Sequence, residues 1–261
     1  MTAELLIDPE AHPIIAHRGA SSLAPENTIA AFDLAVAQGA DALELDVRLT
    51  ADGVPVVCHD HLLNRTTNQS GELVRRRVAD LAGVDAGARF TMDGSTFPHR
   101  GRGVQIPTLR QVLIRYALPL LVELKVAKAQ WAVREELRRA GAERRVVVAS
   151  FSESALLAFR EPPFLISASR RGIAELATTS LLGLRPRNRG YSVYAVPHRY
   201  KDRVPVPTPR FVASARRLGC PVHVWTINDV ALAHELWARA VSGVVTDNPA
   251  AMLAARAGVQ A

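Results

Sequence analysis

From Ala42 to Leu49 apolar and ionisable residues alternate: Leu43, Leu45, Val47 and Leu49 interleave with Glu44, Asp46 and Arg48. That period of two puts the apolar side chains on one face of a strand and the ionisable ones on the other, so one face packs and the other is left for chemistry. Asp52-Gly53 separates this run from Pro55-Val56-Val57-Cys58 and is the strongest short-range signal for a two-residue hairpin loop. Such a loop sets Asp46 opposite His59 and Val47 opposite Cys58.

The same reading extends along the chain. Pro13-Ile14-Ile15-Ala16 predicts a short buried strand ending at His17-Arg18-Gly19, where glycine permits a sharp turn. Pro25 and Glu26 suit the first turn of a helix, Ile29, Phe32 and Val36 recur at helical spacing, and Gly39 ends it. Leu121 to Lys125 alternates again, with Glu123 and Lys125 on one face. A helix over 129–140 carries Val133 and Leu137 and stops at Gly141. Strands are predicted at 146–150, 164–168, 192–196, 222–226 and 243–246, with helices at 172–182, 209–218, 229–239 and from Asn248. Eight parallel candidates alternating with helices predict an α/β fold, a (β/α)8 TIM barrel with its helices outside. Residues 61–106 break the rhythm. They are rich in Gly, Arg, Thr and Asp, and read as a loop-rich insertion after the second strand that covers the barrel's mouth. The expected organisation is one domain over 1–261 containing that insertion.

Length agrees, since 261 residues match an α/β barrel of about 250. The net charge of +7 favours anionic partners, yet only three of the 32 basic residues are lysine and no basic run is interleaved with aromatics, which argues against nucleic acid. Cys58 and Cys220 border valine-rich runs without metal-ligand spacing and read as free buried thiols. The first residues, MTAELLIDPEAHP, carry neither a basic start nor a long apolar run, so the expectation is a cytoplasmic protein without membrane insertion.

Active sites of such barrels lie at the carboxyl ends of the strands. His17, Glu44, Asp46, Glu123, Lys125 and Trp225 all fall there, and the hairpin returns His59 to the same rim. Close carboxylates raise one another's pKa unless a cation intervenes. Oxygen-only ligands from Glu44, Asp46 and Glu123 point to one hard divalent cation, Mg²⁺ or Ca²⁺ with Mn²⁺ as a third choice, rather than zinc. With Arg18 and Lys125 beside it, that ion suits an anion with several oxygens, most simply a phosphate. Two histidines can then act as base and acid, one on the nucleophile and one on the leaving alkoxide. The set suits phosphodiester cleavage.

The segments HRGASSLAPENTIAAF, GADALELDVRLTADGVPVVCHD, RTTNQSG, VDAG, IPTLRQVL, LLVELK, VHVWTIND and GVVTDNP, in this order, resemble the glycerophosphodiester phosphodiesterase family over nearly the whole chain. The resemblance implies a (β/α)8 barrel that hydrolyses small glycerophosphodiesters to glycerol 3-phosphate and an alcohol with a divalent cation. By motif it implies His17 and His59 as acid and base, Arg18 and Lys125 on phosphate, Glu44, Asp46 and Glu123 on metal, and Trp225 in the substrate pocket. It departs at Ala240-Val241-Ser242-Gly243, where the family commonly has an Asp, and at 170–192. Among the remaining candidates, His223 reads as a core residue, His198 as a loop residue, and Asn27 as an organiser of the first helix and its loop. Rival readings are a lysophospholipase D, a Schiff-base lyase using Lys125, and a non-catalytic binding module on a decayed barrel.

Overall fold

A computed structural model describes residues 2–260. Eight parallel strands form the barrel: β1 (Ile14–His17), β2 (Ala42–Leu49), β4 (Leu120–Leu124), β5 (Val146–Ala149), β6 (Leu165–Ile166), β7 (Tyr194–Pro197), β10 (Val222–Trp225) and β11 (Gly243–Thr246). Off this path, β3 (Pro55–Val57) pairs with β2, and β8 (Arg199–Tyr200) with β9 (Val204–Pro205) forms a separate hairpin. The hydrogen-bonded order runs β6-β5-β4-β2-β1-β11-β10-β7. A parallel bridge between Ser167 and Val193, flanked by Ser192 N–H to Ile166 O (2.8 Å) and Ala168 N–H to Val193 O (2.9 Å), joins the two ends and closes the cylinder. Each predicted parallel strand is present, with ends shifted by two residues at most.

Helices α2 (Ile29–Ala37), α3 (Leu109–Arg115), α4 (Gln130–Arg139), α5 (Arg170–Leu181), α6 (Pro209–Arg217), α7 (Val230–Ala238) and α8 (Pro249–Gln260) surround the sheet, and the short α1 (Glu4–Ile7) closes its floor. Thr28, Thr108, Ser169, Thr208 and Asp229 cap five of them, each side chain accepting a backbone N–H of the first turn. The first of these helices begins at Ile29, so Pro25 and Glu26 lie in the turn before it. Val36 is on its solvent side, and Ala31, Phe32 and Ala35 face the core. Among the described residues no helix is long and apolar enough to cross a membrane.

Two apolar layers result from the strand alternation. Outward residues such as Leu43, Leu45, Val47, Val122 and Leu124 pack under the helices, whereas Ile15, Ala42, Leu121, Val147, Val193 and Val245 meet inside the barrel above Ala3 and Leu6. His223 completes this floor: it is fully buried, and its Nε2 is 2.8 Å from the Leu6 carbonyl. A Cβ on Gly243 would stand 2.6 Å from His223 Nδ1, so the smallest residue is required beside the ring. Cys58 and Cys220 are free and buried, as expected.

The hairpin register differs from expectation by one residue. Val47 faces Val57, Arg48 faces Val56 and Leu49 faces Pro55, so Asp46 lies opposite Cys58, whose N–H donates to the Asp46 carbonyl (2.9 Å). The cause is Thr50. Its hydroxyl takes the Val54 N–H (3.0 Å) and donates to Asp52 (2.6 Å), which makes a three-residue loop with Gly53 left-handed at φ +78°. The insertion also sits elsewhere than predicted: Leu63, Leu73, Leu81 and Val84 pack with Val56 and Cys58 in a separate small core on the hairpin, and none of residues 61–106 lines the cavity at the barrel's mouth.

Burial holds His223 neutral, with its pKa pushed down to about 4 from 6.5. The unfolded chain therefore binds this proton first, and the stability that depends on a neutral ring is complete above pH 6.5 and lost as pH falls toward 4. Denaturant unfolding of His223→Gln across pH 4–7.5 should show a shallower acid loss than the parent, by about 3 kcal/mol in total. Parallel curves would contradict the assignment.

Candidate active site

Strand register assembles the site. His17 is in register with Glu44 across β1 and β2, and Asp46 with Glu123 across β2 and β4. On the inward face of a pleated sheet such pairs stand one layer above the apolar floor. Oxygens of Glu44, Asp46 and Glu123 all lie within 4.8 Å of one another. Lys125, two residues beyond Glu123, bridges two of them, with Nζ 2.8 Å from Asp46 Oδ1 and 2.8 Å from Glu123 Oε1. The cavity at the mouth, about 180 Å³, has one polar wall of His17, Arg18, Glu44, His59, Glu123 and Lys125. The rest of the lining is largely apolar and includes Leu121, beside Glu44 in the floor, with Ala149, Phe151, Ile173 and Trp225; Phe151 and Trp225 meet edge to face at 5.9 Å. All eight residues that sequence reasoning assigned to the site thus come together, seven lining the cavity and Asp46 buried beside it, level with Glu123 and covered by Lys125, Arg18 and Asn27.

The turn after β1 places Arg18. Its backbone is left-handed (φ 57°), an uncommon conformation for a residue with a side chain, and it aims the Arg18 N–H at both the Glu44 carbonyl and Glu44 Oε2, each at 3.0 Å. Gly19 follows at φ +85°, and a Cβ there would stand 2.5 Å from the Ala31 backbone, so the turn packs on the first turn of α2 only because glycine occupies it. The Arg18 side chain then doubles back: Nη1 donates to Glu26 (2.9 Å), and Nε approaches Asp46 Oδ2 at 3.0 Å as a charge contact without hydrogen-bond alignment.

A buried charge needs partners. Asp46, 1% exposed, has Lys125, Arg18 and the Asn27 amide (2.8 Å). Burial opposes its ionisation, but Lys125 and Arg18 outweigh this and hold its pKa below the usual carboxylate range. Glu44 is different. Its single ion-pair partner among the described residues is His17, with Nε2 4.0 Å away, and burial, reinforced by the Asp46 charge, pushes its carboxyl up to about 8. Three carboxylates here face two cations, one of them shared with Glu26. A hard divalent cation fits this donor set, because it would supply the missing positive charge through oxygen ligands alone.

Each histidine is backed by an aspartate. His17 Nδ1 is 2.6 Å from Asp247 Oδ1, and Asp247 is held in turn by Ser21 Oγ (2.9 Å) and Asn228 Nδ2 (2.7 Å). His59 Nδ1 is 2.6 Å from Asp60 Oδ1. Despite burial, the hydrogen bonds from His17 and Asn228 hold Asp247 down to about 2. An ionised carboxylate only accepts, so both Nδ1 atoms carry protons and both Nε2 atoms are left for exchange with a ligand. Burial lowers the His17 pKa, but the Asp247 hydrogen bond and Glu44 outweigh it, and the net shift is upward.

Sequence reasoning gave no role to Asp247, Asp60 or Asn228, put Glu26 in the first turn of a helix, and assigned Asn27 to helix and loop organisation, whereas Asn27 grips Asp46 from both sides, accepting its N–H (3.2 Å) as well as donating to its carboxylate. One signal was available for Asp247: Gly243, Val245 and Asp247 continue the inward face of β11 to the rim. His223 is in the floor, as expected, and His198 N–H binds the Trp225 carbonyl from the neighbouring loop (3.2 Å).

A profile of the glycerophosphoryl diester phosphodiesterase family matches residues 17–251. The chain is 38% identical over 249 residues to the Bacillus subtilis protein YhdW, covering 90% of this chain and 94% of that one. It is 30% identical over 263 residues to a glycerophosphodiester phosphodiesterase of the same bacterium, covering 94% and 86%. Among solved structures, an Oleispira antarctica phosphodiesterase in complex with the product sn-glycerol-3-phosphate superposes with a TM-score of 0.74 at 27% identity, over 95% of this chain and 97% of that one.

In the metal-free protein, NMR titration should find His17 protonating above the ordinary imidazole range, and Asp247→Asn should move its midpoint down. An unmoved midpoint would show that Asp247 does not govern this ring.

Proposed function

Because the chain belongs to the glycerophosphoryl diester phosphodiesterase family, whose members hydrolyse glycerophosphodiesters, we propose that it cleaves small members of that class to glycerol 3-phosphate and an alcohol by two-histidine acid–base catalysis assisted by one divalent cation. The observation that carries this reading is the pairing of two Nε2-free imidazoles with a three-carboxylate cluster on one wall of one cavity.

Glu44, Asp46 and Glu123 would hold the cation, which supplies charge neutralisation and Lewis-acid polarisation of phosphoryl oxygens. Lys125 has donor capacity beyond its two carboxylate contacts and, with Arg18, lines the cavity where the phosphate would sit. One imidazole takes a proton from the attacking water as the new P–O bond forms. The other delivers its proton to the alkoxide as the old P–O bond breaks, and exchange with solvent then returns both rings to their starting protonation. Asp247 and Asp60 fix both rings in the tautomer this exchange needs. The apolar part of the lining, Phe151 and Trp225 included, would face the leaving group.

His59→Ala should reduce hydrolysis of glycerophosphocholine by at least about 100-fold while leaving the unfolding transition in place; full turnover would refute the acid–base role. Chelation with EDTA should abolish activity and added Mg²⁺ or Ca²⁺ restore it. Glu123→Gln should shift that restoration to roughly tenfold or more higher cation concentration, and an unchanged titration would remove Glu123 from the ligand set.

A further inference from the structure

The RTTNQSG segment of the insertion has no place in the chemistry above, yet it delivers one side chain to both the His59 side and the Arg18 side of the site. Its turn is rigid: Thr67 is fully buried, its hydroxyl donates to the Leu63 carbonyl (2.8 Å), and Arg89 Nε holds the Thr67 carbonyl (2.9 Å). From that turn the Arg65 guanidinium makes three short hydrogen bonds. Nε donates to Asp60 Oδ2 (2.5 Å), Nη1 to Glu26 Oε2 (2.6 Å) and Nη2 to Glu26 Oε1 (2.8 Å). Beyond these acceptors the chain of contacts continues in both directions. Asp60 backs His59 through its other oxygen, and Glu26 Oε1 also receives Arg18 Nη1.

We infer that Arg65 is a positioning residue for the reaction: one planar guanidinium sets the Asp60–His59 pair and the Glu26–Arg18 pair in a fixed mutual geometry. This rests on the reading that His59 exchanges protons with substrate. Exposed ion pairs add little to folding stability, and the Arg65 side chain is 49% exposed, so stability alone gives little reason for a fork that satisfies two carboxylates at once. Geometry gives one. Arg65 and His59 hold the Asp60 carboxyl at about 2 against the effect of burial, so Asp60 stays a pure acceptor. Its two oxygens are then shared between Arg65 and His59 Nδ1, which fixes where that ring points. Removal of Arg65 frees Asp60 to rotate with His59 and leaves Glu26 to draw Arg18 alone. Lysine cannot substitute, because a single ammonium on a flexible stem does not present three donors in one plane.

The test uses Mg²⁺-loaded enzyme and glycerophosphocholine, with Arg65→Ala, Arg65→Lys and His59→Ala compared by kinetics and thermal unfolding. The expected result is a fall in kcat of about 10- to 100-fold for Arg65→Ala with KM changed by less than about threefold. Arg65→Lys should also be impaired, and added guanidinium ion should recover several-fold activity in Arg65→Ala but none in His59→Ala. If Arg65→Ala fails to fold, a folded Arg65→Lys with wild-type kcat overturns the proposal. So does a lowered melting temperature with unchanged kcat, which is the signature of a merely structural tie. Full activity in His59→Ala removes the premise instead, and is distinguishable because it appears without any Arg65 variant.

Discussion

The structure depends on the concentration of negative charge on a buried pleat. Register alone puts Asp46 beside Glu123 and His17 beside Glu44, and alternation turns all of them inward above an apolar floor. Like charges so close and so dry are costly to keep ionised. The fold answers with Lys125 between two of the carboxylates, Arg18 against Asp46, and an Asn27 amide that locks Asp46 in place. Among the described residues Glu44 has no cationic side-chain partner other than His17, and this imbalance is what a divalent cation bound at the cluster would relieve.

Strands and loops divide the work. Strand ends place the carboxylates and Lys125, where ladder hydrogen bonds fix position closely. Loops place Arg18 on a left-handed turn, His59 beyond the hairpin, and Phe151 against the strand-end ring of Trp225. Three of the groups are then tied down by a second residue, His17 by Asp247, His59 by Asp60, and Arg18 by Glu26. The insertion contributes through Arg65 from outside the cavity, so it shapes the site without covering it.

The barrel was legible because its strands carry strong alternation and its helices end at glycines such as Gly39 and Gly141. The convergence of the eight candidate residues on one cavity was legible because they stand at or just beyond strand ends in recognisable motifs. Less legible was anything set by side-chain hydrogen bonds. Thr50 turns an apparent two-residue Asp-Gly loop into a three-residue one, and the hairpin register moves by one residue. Alternation along β11 points Asp247 inward, but nothing in the sequence pairs it with His17, and Asp60 carries no such signal for His59; the 2.6 Å contacts follow from the folded arrangement alone. Asn27 looked like loop architecture because its target, Asp46, is 19 positions away in sequence.

The most direct test is an anomalous-difference map from crystals of the protein soaked in Mn²⁺. A single strong peak bounded by the carboxylates of Glu44, Asp46 and Glu123 is the predicted result. A peak at another site with none at this cluster, while the enzyme still hydrolyses glycerophosphocholine, would contradict the account.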